Sequence, residues 1–475
     1  MVLRAGTRRA HKAGDWRDPP PGSVPAPIAA ARPIGFNCAM SAATDLQHQF
    51  FDMLMASQYW PADRMVRYQR SQLAQLLRHA KANVPFYERR LDAVFRPSGD
   101  IDWDRWGEIP IVKRSDLLEH WEAMQADTLP AGHGPTRPSR SSGSTGLPVE
   151  LTHNQLSAMS SRAALNRADR WHALDWSKSV CIWDEPAPGL APYPVGHFAG
   201  PWGPPWDAEA RLGRRISLSR ETPPGQVLEF IERNKISYFV SRANSCHSLA
   251  LEAERLGQQL RLEAFLCHGT AIRPEEREDC MRILGAKVIG LYSSNEGHKM
   301  AHPCPTGEHY HVNAELLFLE ILDDAGNACR PGEMGMVVIT PFYSTAQPLI
   351  RYEQGDLATP GEPCACGRSL PVVARIDGRL TNLFCFPDGR RIAPAVQAWR
   401  LTPLDASRWQ LAQTGPWAIE LRYEAEHEAS PEAVAIVAAA VRDQTHSRAQ
   451  ILVRRNGIKM TGTKLIHYVN EVPTA

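Results

Sequence analysis

Small hydroxyl residues alternate with glycine in Ser141-Ser142-Gly143-Ser144-Thr145-Gly146-Leu147-Pro148. The backbone amides of such a loop can turn toward an anion, and the Ser and Thr hydroxyls add donors. The Lys-[Ser/Thr] ending of a Walker loop is missing. Composition alone also suits a solvated linker; the strand-like residues 149–152 that follow make it a candidate phosphate loop. Glu296 is the second chemical residue. It follows an apolar strand pattern at 287–291, so it lies at a strand's carboxyl end, where open α/β sheets bind ligands. A carboxylate there suits Mg²⁺, a hard ion that takes one or two carboxylates plus phosphate oxygens. The plain alternative is a surface glutamate in a polar loop.

Cys304-x₆-His311 and the later Cys364-Ala-Cys366 offer three thiolates and one imidazole. That is a closed set for tetrahedral Zn²⁺, with no position left for water, so any zinc here is structural. His302 and His309 are alternative imidazoles and Cys329 an alternative thiolate. Unliganded cysteines of a reduced protein are the competing explanation.

The octapeptide resembles the phosphate loop of the adenylate-forming (acyl-activating) enzymes. Five further segments resemble the phenylacetate–coenzyme A ligase-like branch of that superfamily. They are Val84-Pro-Phe-Tyr87, Ile109-Pro-Ile-Val-Lys113, Tyr292-Ser-Ser-Asn-Glu296, Pro348-Leu-Ile-Arg-Tyr352 with Gly355-Asp356, and Ile376-Asp-Gly-Arg379. Their order and spacing cover the chain from about residue 60 to the end.

The resemblance implies ATP-dependent activation of a carboxylic acid to an acyl-adenylate, then transfer to coenzyme A. It makes Glu296 the Mg²⁺ carboxylate, Tyr292 the aromatic neighbour of the nucleotide, and Asp356 the acceptor of both ribose hydroxyls. A carboxylate suits a diol because its two oxygens accept in parallel. Arg379 resembles the nucleotide-contacting arginine at the hinge between a large and a small domain. Asn295 stands where many members carry Thr or Ser, and its amide can still donate to the α-phosphate. Thr381 stands where a hinge Asp or Lys is usual. Gly462-Thr-Lys464 resembles the tail motif whose lysine bridges carboxylate and α-phosphate, with Lys459 as the competitor. An ammonium suits that place because it neutralises charge gathering on phosphoryl oxygens. Some members of the branch carry a similar cysteine-rich pair. An arylacetic or aryl acid is the expected substrate. Transfer to an amine and a non-catalytic nucleotide-binding role are the alternatives.

These residues need elements to hold them. Helical period runs through 42–58 and 62–80, and strand-like runs alternate with helical stretches from 178 to 291, which argues a largely parallel α/β sheet. After 315 the texture turns to β, and Ser430 with Pro431 opens one good helix. The expected organisation is a leader at 1–40, a large ATP- and acyl-binding domain at 41–379 with layered sheets and helices, and a small, mobile α+β domain at 380–475. The leader has six prolines and six basic residues against two acidic, with no periodic apolar stripe, which reads as disorder. Residues 183–206 hold seven prolines and five aromatics, a candidate wall for an aromatic-acid pocket.

Composition narrows the partners. Lys plus Arg is 53 and Asp plus Glu 52, so the net charge favours neither nucleic acid nor a membrane surface. No apolar run approaches the ~18 residues of a bilayer span. A reducing cytoplasm is the default for ten scattered cysteines. The expected partners are a small carboxylic acid, ATP and coenzyme A, and a homodimer is compatible with them.

Overall fold

The computed structural model describes residues 39–140, 149–184, 193–206, 212–269, 274–392, 394, 396, 398–460 and 465–472. The leader up to residue 38, the whole octapeptide 141–148 and Lys464 lie outside the described residues.

Three larger sheets, beside two two-stranded pairs, carry the described residues. The first has six strands in the order His197–Pro201, Arg214–Ser219, Ser179–Asp184, Ile236–Arg242, Ala264–His268 and Lys287–Gly290. All neighbours are parallel except the first pair. The helices Pro224–Asn234, Ala243–Arg255 and Pro274–Leu284 connect successive strands, as parallel pairing requires. Their apolar faces bury Val227, Ile231, Leu249 and Leu284 against Phe239 and Phe265. Continuous burial of both strand and helix side chains explains why these segments read clearly from the sequence.

The second sheet is antiparallel, with seven strands in the order Leu317–Leu322, Gly335–Pro341, Tyr352–Pro360, Val372–Arg379, Tyr310–Val312, His298–Pro303 and Tyr292–Ser294. Helices Ala39–Ser57 and Ala62–Asn83 share its core with Leu73, Leu77, Tyr87, Val337 and Ile339. Helix Gln155–Trp171 also joins that core through Ala163 and Ala164. Its Arg167 is fully buried and pairs with Glu315 at 2.7 Å.

Beyond Arg379 a separate apolar core forms. Strands Gln450–Arg455, Ala418–Glu424, Arg408–Gly415 and Tyr468–Asn470 make a four-stranded sheet. Helix Pro431–Gln444 packs on it through Val437 and Val441. Ser430 Oγ accepts from Ala433 N at 3.2 Å, a side-chain cap on one of the helix's orphan donors. No helix among the described residues is long and apolar enough to cross a membrane.

Candidate active site and metal cluster

The segment Tyr292–Glu296 sits where two sheets meet. Strand Lys287–Gly290 ends the parallel sheet, and after Leu291 the chain enters Tyr292–Ser294, an edge strand of the antiparallel sheet. Glu296 therefore follows this short extra strand rather than the parallel strand directly. The seven-stranded sheet curls so far that its edge strand reaches back to the strand Tyr352–Pro360. Tyr292 OH donates to Asp356 Oδ2 at 2.9 Å, and Ser294 Oγ to Gln354 Oε1 at 3.1 Å.

Register supplies the third partner. Asp356 lies directly across from Arg379 on the neighbouring strand, and Arg379 Nε meets Asp356 Oδ1 at 2.8 Å. Gly355 precedes the aspartate at φ +75°, a left-handed conformation that glycine takes at little cost. Burial pushes the Tyr292 hydroxyl pKa well up, with the adjacent Asp356 carboxylate adding to it, so the phenol stays protonated as a donor. Burial opposes the Arg379 charge, but Asp356 and then Glu296 outweigh it. Glu296 is itself buried. One polar cluster thus holds Tyr292, Glu296, Asp356 and Arg379.

Asn295 Nδ2 donates to the carbonyl oxygen of Arg140 at 2.9 Å. Arg140 is the residue before the octapeptide, so the amide is tied to the chain just ahead of it. Among the two tail lysines, Lys459 Nζ pairs with Glu471 at 2.9 Å. Its charge is therefore already engaged. Thr381 lies in the short helical turn Leu380–Asn382, and its side chain is outside the described residues.

Sequence reasoning missed two histidines here. His153 follows the octapeptide by five residues, and its ring packs on His298 with centroids 4.6 Å apart. Burial lowers the His153 pKa, while Glu296 pulls it the other way. The pair stands beside Glu296, and the only sequence signal was its nearness to two motifs.

Cys304, His311, Cys364 and Cys366 come together with their ligand atoms all within 4.8 Å of one another. Cys304 Sγ and Cys364 Sγ are 3.8 Å apart, and Cys366 Sγ and His311 Nε2 3.3 Å. Tetrahedral zinc with Zn–S near ~2.3 Å requires S–S of about 3.8 Å and S–N of about 3.6 Å. The donor set fits zinc. Burial lowers the His311 pKa to about 4, keeping the imidazole neutral as a ligand must be. His302 is fully buried against Trp171 instead, and the His309 ring meets the His311 ring edge-on. Cys329 is outside this group.

The aromatic segment divides. Trp183 and Trp202 are buried in the core of the parallel sheet, and Trp206 stacks on His48 at 5.0 Å. Tyr193 donates its hydroxyl to Glu229, while Phe198 is exposed. Residues 185–192 lie outside the described residues. Three of the five aromatics therefore serve packing rather than a pocket wall.

No family model matches the chain. A phenylacetate–coenzyme A ligase of Thermus thermophilus is 26% identical over 346 residues, 67% of this chain and 72% of that protein. Its counterpart in Escherichia coli K12 is 25% identical over 344 residues, 68% of this chain and 72% of that protein. The chain is similar to these two ligases over two thirds of its length. Among solved structures, the chain matches 2-hydroxyisobutyryl-CoA ligase in the postadenylation state with 2-HIB-AMP. The TM-score is 0.69 at 20% identity, covering 87% of this chain and 93% of that one. An anthranilate CoA ligase in complex with anthranoyl-AMP gives 0.51 at 14% identity, covering 76% and 73%. The chain shares the fold of these CoA ligases.

Proposed function

We propose that the chain is an AMP-forming acid–coenzyme A ligase acting on a carboxylic acid, with an aryl or arylacetic acid as the first class to try. The observation that carries this reading is the cluster of Tyr292, Asp356 and Arg379 around Glu296, in a chain similar to phenylacetate–CoA ligases. The carboxylate oxygen of the acid attacks the α-phosphorus of ATP, and pyrophosphate leaves. The coenzyme A thiol then attacks the acyl carbon of the adenylate, and AMP leaves. Amide formation and a non-catalytic role are not favoured by these relatives.

In this reading Ser141, Ser142, Gly143, Ser144, Thr145 and Gly146 cradle the phosphates, Glu296 takes Mg²⁺ and Asp356 takes the ribose. Tyr292 orders the Asp356 carboxylate through its hydrogen bond. Lys464 neutralises the charge that grows on the phosphoryl oxygens, and it would be brought in by the unit 380–475 as a moving small domain about Arg379. Cys304, His311, Cys364 and Cys366 would hold zinc, which would tie the loops carrying the cysteines to the strand Tyr310–Val312. Nine free cysteines among the described residues suit the reducing cytoplasm.

Pyrophosphate release across a panel of acids, with and without coenzyme A, tests the reading. Release followed by thioester formation is expected. Release without thioester would restore the amide ligase, and no release with any acid would leave a nucleotide-binding homologue.

A further inference from the structure

One buried amide of the four-stranded sheet has all of its hydrogen bonds made. Gln410 lies on Arg408–Gly415, an inner strand of that sheet, and is fully buried. Its neighbours Trp409 and Leu411 belong to the apolar core. Nε2 donates to the carbonyl oxygens of Lys459 at 2.8 Å and Ile466 at 3.0 Å. Oε1 accepts from the backbone N–H of Lys459 at 3.1 Å and from Arg422 Nη1 at 3.1 Å. A side-chain amide has two N–H donors and two acceptor lone pairs, so its capacity is fully used. Arg422 is buried as well, and it donates to Glu420 at 2.7 Å and to Glu471 at 2.8 Å. Turning the amide over would set its NH₂ group against the guanidinium and the Lys459 N–H. Its direction is therefore fixed.

These bonds gather both ends of one segment. Lys459 and Ile466 bracket it, and a single nitrogen ties the carbonyl of each to the inner strand. The flanks are tied separately. Lys459 Nζ meets Glu471 at 2.9 Å, His467 O accepts from Leu411 N at 2.7 Å, and Tyr468–Asn470 pairs with residues 411–413. Lys464 stands two positions before Ile466 in the sequence. The entropy of closing this segment is thus lost on folding, not when substrate arrives. An ammonium that must meet charge in a transition state needs such support, since a ~1 Å misplacement can cost about 10²-fold in rate. A buried amide is costly unless bonded, and the bonds of this one all go to the segment and to Arg422.

We propose that Gln410 is a positioning residue for adenylation, setting the segment from which Lys464 reaches the phosphoryl oxygens. Arg422 fixes the direction of the amide. The proposal rests on the ligase reading above, in which Lys464 neutralises charge on those oxygens. Gln410 acts only through the backbone at Lys459 and Ile466.

Gln410→Met keeps the length of the side chain and removes all four bonds. Pyrophosphate release should slow by about 10²-fold in kcat with the KM for ATP little changed. Thioester formation from supplied acyl-adenylate should stay near the wild-type rate. Both residues act through one ammonium, so Gln410→Met added to Lys464→Ala should slow adenylation no further. Gln410→Glu keeps the acceptor facing Arg422 and withdraws both donors; it should show the same split, and it carries the test if the Met variant does not fold. Wild-type adenylation in either folded variant, an equal loss in both half-reactions, or full additivity with Lys464→Ala overturns the proposal. Hydrogen exchange separates that failure from failure of the ligase reading. Amides of 459–466 should exchange faster in the Gln410 variant, while those of Ala418–Glu424 do not. Unchanged exchange at 459–466 refutes the clamp whatever the chemistry. If wild type releases no pyrophosphate with any acid, or Lys464→Ala adenylates normally, the ligase or lysine assignment has failed and the role in adenylation falls with it.

Discussion

Replacing Arg167 with Met removes the buried cation paired with Glu315. Arg167 Nη1 donates to Glu315 Oε1 at 2.7 Å and to the Leu54 carbonyl at 3.0 Å. Nη2 donates to Asn313 Oδ1 at 2.6 Å and Glu315 Oε2 at 3.3 Å. Both side chains have zero exposure. In the variant, the Ser57 hydroxyl at 2.6 Å is the one side-chain donor left to the carboxylate among the described residues. Met fills much of the volume, so the loss is electrostatic rather than a cavity. Stranding one member of a buried pair costs about 3–5 kcal/mol. That is a large part of the ~5–15 kcal/mol that holds a typical native state together. Adding Glu315→Gln removes the stranded charge, and the double variant should regain more than half of the loss. Urea unfolding followed by tryptophan fluorescence reads it, because the Trp171 ring lies 5.0 Å from the Arg167 guanidinium carbon. A loss below ~1 kcal/mol, the size of a solvent-exposed pair, would refute the reasoning. A double variant no better than Arg167→Met would refute it equally.

Glu296→Gln keeps the volume and loses the charge, so it should weaken use of Mg²⁺·ATP without lowering Tm; wild-type turnover at ordinary Mg²⁺ sinks that assignment. Purified protein should hold about one zinc per four-ligand site, and Cys364→Ser with Cys366→Ser should lose both the metal and several degrees of Tm. Metal analysis of carefully prepared wild type that finds no zinc leaves the cysteines as packing residues. Lys464→Ala should slow adenylation by about 10²–10³, the size typical of one preorganised donor, yet form thioester at near wild-type rate from supplied acyl-adenylate. An equal loss in both steps points to misfolding or a wrong residue. Burial raises the Asp169 pKa to about 7, so the unfolded chain, with an ordinary carboxylate near ~3.9, releases that proton first. Stability should therefore fall as pH rises between those values, and Asp169→Asn should flatten the fall; identical slopes in the two proteins count against it.

Much of the parallel sheet was legible because several of its strands are short apolar runs next to a helix, while His197–Pro201 and Arg214–Ser219 carry no such run and went unread. Lys287–Gly290, Ile236–Arg242 and Ala264–His268 all fall within a residue or two of their expected places. The capped helix Pro431–Gln444 was equally plain. Helix Gln155–Trp171 was not, because Ser157, Ser160, Ser161, Asn166, Arg167 and Asp169 are buried on it. Polar residues on an inward face erase the stripe that marks an amphipathic helix. At the site, motif residues could be named singly, but their meeting could not. Tyr292 and Asp356 are 64 positions apart, and only the curl of the seven-stranded sheet brings them together. The four metal-type residues were legible as a set, since their types and close spacings carry the signal.

Arg379 closes one strand and is followed at once by the turn Leu380–Asn382 that leads into the second core. Its grip on Asp356 is therefore a latch at the root of everything downstream. A ribose hydroxyl competing for Asp356 Oδ1 would have to loosen that latch. By linkage, an orientation of the downstream unit that draws Arg379 away would strengthen nucleotide binding by the same factor that the nucleotide favours that orientation. On the proposed reading, occupancy of the site and posture of residues 380–475 would be two readings of one equilibrium. Arg379→Lys, which keeps the charge and gives up the planar fork, should uncouple them.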